Sequence, residues 1–219
     1  MAHTTKEVKH ILTNDIAVQS CLARDLINVR GLAKYIIDKY KLNASVDSVI
    51  SAIRRFDASC EFYSHHNRIK DLFAGSSIKT TTNLSVIDII GRNDIRKCLD
   101  QFNSLVDIDK GDTLRLVKGN NHMRVIVDEH NLPKLKEAFI LYDKVNVINN
   151  LVELSIISKS TDSLNETKGV MARISNEMAM QNVNIVEMIF NADTISIYVD
   201  KKDYVNANSI LVSLSEINI

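Results

Sequence analysis

The sequence predicts an α+β chain in which an N-terminal helical domain precedes two ferredoxin-like βαββαβ units. Apolar residues recur at helical spacing up to about residue 75 and at strand spacing from residue 77 onward. A strand–helix–hairpin–helix pattern then occurs twice. The predicted boundaries are therefore 1–75 for the helical domain, 76–149 for the first ferredoxin-like unit and 150–219 for the second.

One-sided apolar stripes and capping residues predict the helices of the first domain. Asp15, Asn28 and Ser45 each precede a helical segment, and all three are favourable N-cap residues. A further helix is expected around residues 61–74. The positions predicted to face inward are Val8, Ile11, Leu12, Ile16, Leu22, Leu26, Val29, Leu32, Ala33, Ile36, Tyr40, Val46, Val49, Ile50, Ile53 and Phe56.

The first ferredoxin-like unit is predicted from a change to strand-like apolar runs. A buried strand is expected at 84–91 and a helix at 93–105. A hairpin follows with "GNN" at 119–121 as its turn, and a second helix begins at 132 with Pro133 in its first turn.

The second unit repeats this order. It is predicted to have a strand at 151–158, a helix at 167–181, a hairpin at 184–200 and a helix at 201–214. The second hairpin strands align with an offset of 72 residues, and the first strands with an offset of about 67. The sequence "SEINI" at the end leaves little for a last strand.

Composition indicates an ordinary globular protein. The chain has 219 residues, of which 45% are hydrophobic and 25% charged. No apolar run approaches the roughly 18 residues of a membrane span, and no signal peptide is recognisable, so a cytoplasmic protein without a membrane partner is expected. The three cysteines are widely spaced and are expected to be reduced.

The second unit resembles an ACT domain, in particular the regulatory ACT domains of aspartokinases. The segment "TKGVMARISNEMAMQNVNIVEMIFNADTISIYVDKKDYVNA" carries the resemblance, which covers roughly 151–215. The first copy, about 78–148, is a weaker match because "GRNDIRKCL" has no glycine at the helix start. The resemblance implies amino-acid binding and association of two copies through ACT sheets. Kinase activity is not implied, because the kinase part is absent from this sequence.

A ligand site is predicted at the start of the helix at 167–181. With Thr167 as the N-cap, the N–H groups of the next three residues would face a carboxylate, and Asp162 could meet an amino group. The resemblance implies that Asn184 and Ile185 close the pocket across a dimer. The alternative is a capped helix that binds nothing. The predicted ligand-binding residues are Asp162, Thr167, Lys168, Gly169, Val170, Asn184 and Ile185.

The segment "LINVRGLAKYIIDKYKLNASVDSVISAIRRF" resembles the helix-turn-helix part of winged-helix regulators, with 46–56 as the recognition helix. Residues 1–73 carry a net charge of +3 and the remainder −3, which permits DNA binding without requiring it. The alternative is a helical protein-interaction domain whose charged face is simply solvated. The predicted DNA-binding residues are Arg30, Lys34, Ser48, Ser51, Arg54 and Arg55.

The predicted function is that of an amino-acid-responsive transcriptional regulator that binds DNA and forms a homodimer or a larger assembly. No motif of a common enzyme class is present, and no catalytic residue, metal or cofactor is expected. Two alternatives stay open: a protein-interaction or assembly module that does not bind DNA, and a regulatory subunit of an amino-acid biosynthetic enzyme.

Overall fold

The computed structural model describes residues 2–56, 68–90, 106–138, 144–159, 164 and 167–216. The chain divides into two compact units, a helical unit of residues Met1–Ile69 and a sheet unit of residues Lys70–Ile219. The predicted helix at 93–105 and most of the helix predicted around 61–74 lie outside the described residues, although 68–74 are helical.

The helical unit is built around four helices that bury one common core. Helix α3 packs against α4, and α1 contacts both α2 and α4. Side chains from three of these helices form the fully buried part of the core: Val8, Leu12, Leu32, Ala33, Ile36, Val49, Ala52 and Ile53. The helices are α1 (Ala2–Thr13), α2 (Ile16–Ala23), α3 (Val29–Tyr40) and α4 (Val46–Arg54).

The three predicted N-caps are confirmed. The Asp15 side chain accepts a hydrogen bond from Val18 N at 3.0 Å, and Asn28 accepts one from Gly31 N at 3.0 Å. Ser45 Oγ accepts from Ser48 N at 3.3 Å. Each cap therefore satisfies one backbone donor that the first helical turn leaves without a partner.

Three of the inward positions predicted for this unit are wrong. Ile16 is 75% exposed, Leu26 63% and Tyr40 42%. Helix α2 begins at Ile16 and ends before Leu26, so neither residue lies on a continued helical stripe. Tyr40 is the last residue of α3, so no further helical turn continues the apolar stripe beyond it.

The sheet unit contains one antiparallel sheet with the strand order β2-β3-β1-β4-β6-β5. The predicted turn at 119–121 and the predicted hairpin at 184–200 are confirmed, since β2 pairs with β3 and β5 pairs with β6. The strands are β1 (Ser77–Ile90), β2 (Leu114–Lys118), β3 (His122–Asp128), β4 (Lys144–Ile157), β5 (Ile185–Phe190) and β6 (Thr194–Asp200). The helices of this unit are α5 (Leu132–Ala138), α6 (Val170–Met180) and α7 (Tyr204–Glu216).

Strands β1 and β4 each have 14 residues where eight were predicted, because each continues back through seven residues that are exposed or half-buried. The two strands match position by position at an offset of 67, and each has a left-handed asparagine with φ of 59° at its middle, Asn83 and Asn150. Their pairing register shifts next to Asn83, which indicates a bulge and a bend in the sheet. The two strands therefore share one local backbone pattern.

The first half of β1 pairs with β4 on the edge opposite β6. Residues 77–81 pair with 153–157 of β4, whose other edge pairs with β6. Likewise, residues 144–148 of β4 pair with 86–90 of β1. Each long strand therefore contributes to the surroundings of both predicted ferredoxin-like units.

The sheet buries apolar side chains on both faces. On one face Ile87 and Val125 pack with Leu135 of α5. On the other face Leu84, Val86, Ile126, Leu151 and Tyr198 form a second core, against which Val186 and Ile189 of β5 also pack. Three strands separate β3 from β5 in the sheet order, yet Arg124 of β3 donates a hydrogen bond to Glu187 of β5, so the sheet curls around its second face.

Candidate functional site

The predicted ligand site lies at the start of α6. Gly169 is the residue before the helix and has φ of 84°, a conformation that only glycine adopts without strain. Helix α6 begins at Val170, so Thr167 is not the N-cap, which corrects the prediction. Since Arg173 N donates to Gly169 O at 2.9 Å, the donors of the first turn belong to Val170, Met171 and Ala172 rather than to Lys168 and Gly169.

The other residues predicted for this site are dispersed within one chain. Lys168 and Gly169 are exposed, Thr167 is half-buried and Val170 is buried. Asn184 and Ile185 follow the far end of α6, which has 11 residues and is therefore about 16 Å long. Asp162 lies outside the described residues. A pocket that combines both ends of α6 needs two copies of the chain, as the prediction assumed.

The structure brings together a polar cluster that the sequence interpretation missed, on the curled face of the sheet. Its members are Glu153, Ser155, Ser196 and Tyr198, each less than one-tenth exposed. Ser155 Oγ donates to Glu153 Oε1 at 2.9 Å and lies 3.4 Å from Ser196 Oγ. Among the described residues, no cation lies within ion-pair distance of Glu153. The signal in the sequence is the alternation of polar and apolar residues within "LVELSII" and "ISIYV".

Tyr198 lies directly opposite Glu153 in this cluster. Its hydroxyl is buried and forms no hydrogen bond with the described part of the chain. Burial raises the pKa of Tyr198, and the negative charge of Glu153 raises it further, whereas the positive charge of Arg115 lowers it. The Tyr198 phenol consequently stays neutral in the physiological range.

A second polar group on the same face links distant strands. Arg124 of β3 binds Asp88 of β1 through two hydrogen bonds, Nε–Oδ1 at 2.7 Å and Nη2–Oδ2 at 2.9 Å. Its Nη1 donates to Glu187 Oε2 of β5 at 2.9 Å and to the carbonyl of Val186. The hydrogen bond to Asp88 holds the pKa of Arg124 above its usual range. The hydrogen bonds of Arg124 therefore connect β3 with β5 across the curled face, although three strands lie between them in the sheet order.

The polar groups around Glu153 and Arg124 lie in rows of the sheet that correspond to each other at the offsets of the repeat. In each row, the residue types differ between the two halves of the sheet. The neighbouring pair Asp88–Arg124 corresponds to Ser155–Ser196, at offsets of 67 and 72. Conversely, the apolar pair Val86–Ile126 corresponds to Glu153–Tyr198. The two halves of the sheet thus share a strand arrangement but differ in the polarity of the residues on this face.

The helical unit exposes the residues predicted to contact DNA. Helix α4 buries Val49, Ala52 and Ile53 against α1 and α3 and leaves its opposite side to solvent. The predicted side chains on α3 and α4 are exposed except Ser48, which is half-buried. Asp47 also lies on the exposed side, and Ser51 Oγ donates to its carbonyl. The geometry is compatible with a nucleic-acid contact and equally with a solvated face.

No group of three or more histidine, cysteine or acidic side chains capable of holding a metal ion occurs in the part of the chain that the structure describes. Within the same residues, no helix is long and apolar enough to cross a lipid bilayer.

Comparison with known proteins places the fold. No protein-family model and no curated protein matches the chain. Solved structures that resemble it include the aspartate kinase of Clostridium acetobutylicum, with 16% identity and a TM-score of 0.53 over 63% of this chain and 34% of that one. The ligand-free regulatory subunit of aspartate kinase from Thermus thermophilus has 15% identity and a TM-score of 0.50, with 64% of this chain and 98% of that subunit covered.

The aspartate kinase of Synechocystis is similar at 17% identity and a TM-score of 0.52, over 67% of this chain and 28% of that enzyme. The chain thus spans about a third of the length of the complete kinases but nearly all of the Thermus regulatory subunit. These structures match about two thirds of this chain. The matched length is greater than that of the helical unit and agrees with that of the sheet unit. At these identities the likeness shows the fold: the chain contains the ACT-like fold of aspartate kinase regulatory domains.

Proposed function

We propose that the protein is a regulatory protein that responds to an amino acid bound by its ACT-like sheet unit, and that it is not an enzyme. The observation that carries this proposal is the likeness to a regulatory subunit of aspartate kinase over 98% of that subunit. The two halves of the sheet carry different polar pairs. This difference adds support, because only one of the halves then has to bind the amino acid. A cytoplasmic location agrees with this role.

In this proposal the carboxylate of the amino acid lies at the start of α6. The donors of the first turn and the positive end of the helix favour an anion there, and the exposed Lys168 adds a full positive charge. Thr167, Gly169 and Val170 form the rest of that wall. Asp162 binds the amino group, and Asn184 and Ile185 of a second copy close the pocket.

The proposed domains are residues 1–75, 76–149 and 150–219. The first is a helix-turn-helix-like domain and the others are two ACT-like units that share the long strands β1 and β4. Binding of the amino acid shifts the balance between two arrangements of the assembly, by as much as its affinity for the two arrangements differs.

The first test is thermal denaturation of the protein with each of the twenty amino acids. One amino acid is expected to raise the melting temperature selectively, because a ligand at 100 times its Kd stabilises a protein by about 2.7 kcal/mol. Lys168→Glu is expected to abolish the shift while the protein stays folded. Gly169→Trp should also abolish it, but this variant strains the backbone at φ of 84°.

Lys134→Glu is the matched control for Lys168→Glu. Lys134 is also exposed and lies near the start of α5, in the other half of the sheet unit. Lys134→Glu therefore reverses one charge without changing the proposed site. If a selective shift of the melting temperature persists in both Lys168→Glu and Gly169→Trp, the amino acid binds at another site. The absence of any shift at millimolar amino acid would refute amino-acid sensing.

The proposed output is DNA binding through the exposed side of α4. Arg54 and Arg55 contact phosphates or guanines, Ser48 and Ser51 approach base edges, and Arg30 and Lys34 reach the backbone. The competing output is regulation of an amino-acid biosynthetic enzyme or assembly with another protein. The likeness to a separate regulatory subunit favours that second candidate.

Titration of fluorescent duplex DNA at several salt concentrations separates the two outputs. If α4 binds DNA, the double variant Arg54→Ala, Arg55→Ala is expected to reduce the slope of log K against log salt by about 2, since each lost phosphate contact reduces it by about 0.9. Lys6→Ala, Lys9→Ala removes two exposed charges from α1 and serves as the control. Equal slopes for both double variants would reject α4 as the DNA surface.

A further inference from the structure

The fully exposed positions of α6 and α7 carry no charged side chain among residues 170–180 and 204–214. The two helices lie next to each other on the sheet. Among their described side chains, residues 170–180 and 204–214, the charged ones are Arg173 and Glu177, which are partly buried and bind each other at 2.9 Å. The exposed positions are Met171, Ala172, Ser175, Asn176, Ala179, Met180, Val205, Asn206, Ser209, Val212 and Ser213. We refer to these residues as the helix layer.

This surface differs from the rest of the chain. One residue in four is charged in the whole sequence, and the exposed side of α3 alone carries Arg30, Lys34, Asp38 and Lys39. A solvated helix pair of this size is expected to carry several charges on its outer side. The helix layer instead exposes long apolar side chains, with Met180 81% exposed, Val205 68% and Met171 54%. Exposed apolar patches of this kind mark contact surfaces in proteins.

Charges surround the helix layer rather than enter it. Lys168 lies just before α6, and Lys201 and Lys202 lie just before α7. Depletion of charged residues within a patch, with charged residues at its border, is typical of a protein interface. Since the layer has no charge, two copies placed face to face bring no like charges together, which makes the surface complementary to itself.

The size of the helix layer also suits a second copy. Helices α6 and α7 are about 16 and 20 Å long, and packed helices lie 8–10 Å apart. The resulting face measures roughly 400 Å² in projection, and its accessible area is larger because side chains protrude. A stable dimer needs on the order of 800 Å² from each partner. The helix layer therefore approaches the required area by itself.

We propose that the helix layer is a homodimer interface, in which α6 and α7 of one copy pack against the same helices of a second copy around a two-fold axis. This surface is formed by helices and is distinct from the ACT sheets, through which association was predicted. The proposal does not depend on the ligand. It predicts that the protein associates with or without an amino acid.

The test is sedimentation velocity of the full chain over a range of concentrations. The wild-type chain is expected to be dimeric, and Met180→Glu and Val205→Glu are each expected to raise the dissociation constant at least tenfold, because each variant buries a carboxylate from both copies in an interface that has no cation to pair with it. Both positions are largely exposed, so the variants should fold normally, as circular dichroism will verify.

Two further variants make the result specific. Ile16→Glu introduces the same charge at a position of the helical unit that is 75% exposed, and it is expected to leave the dimer intact. Val117→Lys alters the exposed edge strand β2. A monomeric wild-type chain would overturn the proposal, and so would a dimer that Val117→Lys weakens and Met180→Glu leaves unchanged.

Discussion

A fragment of residues 150–219 is expected to have no stable fold, although it contains the whole second unit that the sequence predicts. In the full chain, residues 153–157 of β4 lie between β6 and residues 77–81 of β1. The fragment lacks β1, so β4 becomes an edge strand, and it lacks Leu84 and Val86 of β1 and Ile126 of β3 from the core around Tyr198. Domains are stable by only about 5–15 kcal/mol, so a loss of this size should unfold the fragment.

The measurement is the amide proton dispersion in a ¹H–¹⁵N spectrum, together with thermal denaturation followed by circular dichroism. Residues 70–219 are expected to give a dispersed spectrum and one cooperative transition. A dispersed spectrum and a cooperative transition from 150–219 alone would show that β1 is dispensable for the second unit.

A rearranged fragment provides the sharper control. Residue 77 pairs with residue 157, and α7 runs in the same direction as β4, so its last turn comes back to that end of the sheet. Residues 77–83 joined after residue 219 through a short flexible linker should therefore occupy the vacant edge of β4 and restore the fold. The same segment in scrambled order should not.

Local signals predicted much of this structure. The caps at Asp15, Asn28 and Ser45 depend on one side chain and a donor three residues later, and all three were correct. The two hairpins follow from alternating apolar residues around short polar turns. The offset of 72 between β3 and β6 was also readable, because both strands end in an aspartate followed by a helical turn.

Features that depend on distant pairing escaped prediction. The first halves of β1 and β4 are rich in threonine and asparagine and half-exposed, and only their mutual pairing makes them strands. The cluster of Glu153, Ser155, Ser196 and Tyr198 cannot be predicted without knowing which strands are neighbours. The contacts of Arg124 with Asp88 and Glu187 depend in addition on the curl of the sheet. The cap at α6 was misplaced because the left-handed conformation of Gly169 starts the helix two residues later than a Thr167 cap implies.

Arg124→Ala is expected to destabilise the sheet unit by about 2–3 kcal/mol. Asp88 and Glu187 are about four-fifths buried and lose their cation together, and stranding a buried charge costs roughly 3–5 kcal/mol before solvent exposure reduces it. In a domain of this size, each kcal/mol lowers the melting temperature by about 2–4 °C. Chemical denaturation of the variant measures the loss directly.

Arg173→Ala is the matched control, because Arg173 and Glu177 form an ion pair of the same 2.9 Å length within one helix. Such pairs contribute only about 0.2–0.5 kcal/mol. A double-mutant cycle of Arg124→Ala with Glu187→Ala then isolates the link between β3 and β5 from the Asp88 contact. A coupling energy near zero, or a loss no larger than that of Arg173→Ala, would mean that apolar contacts alone hold the sheet curled. A coupling above about 1 kcal/mol would identify Arg124 as the group that fixes the two halves of the sheet against each other.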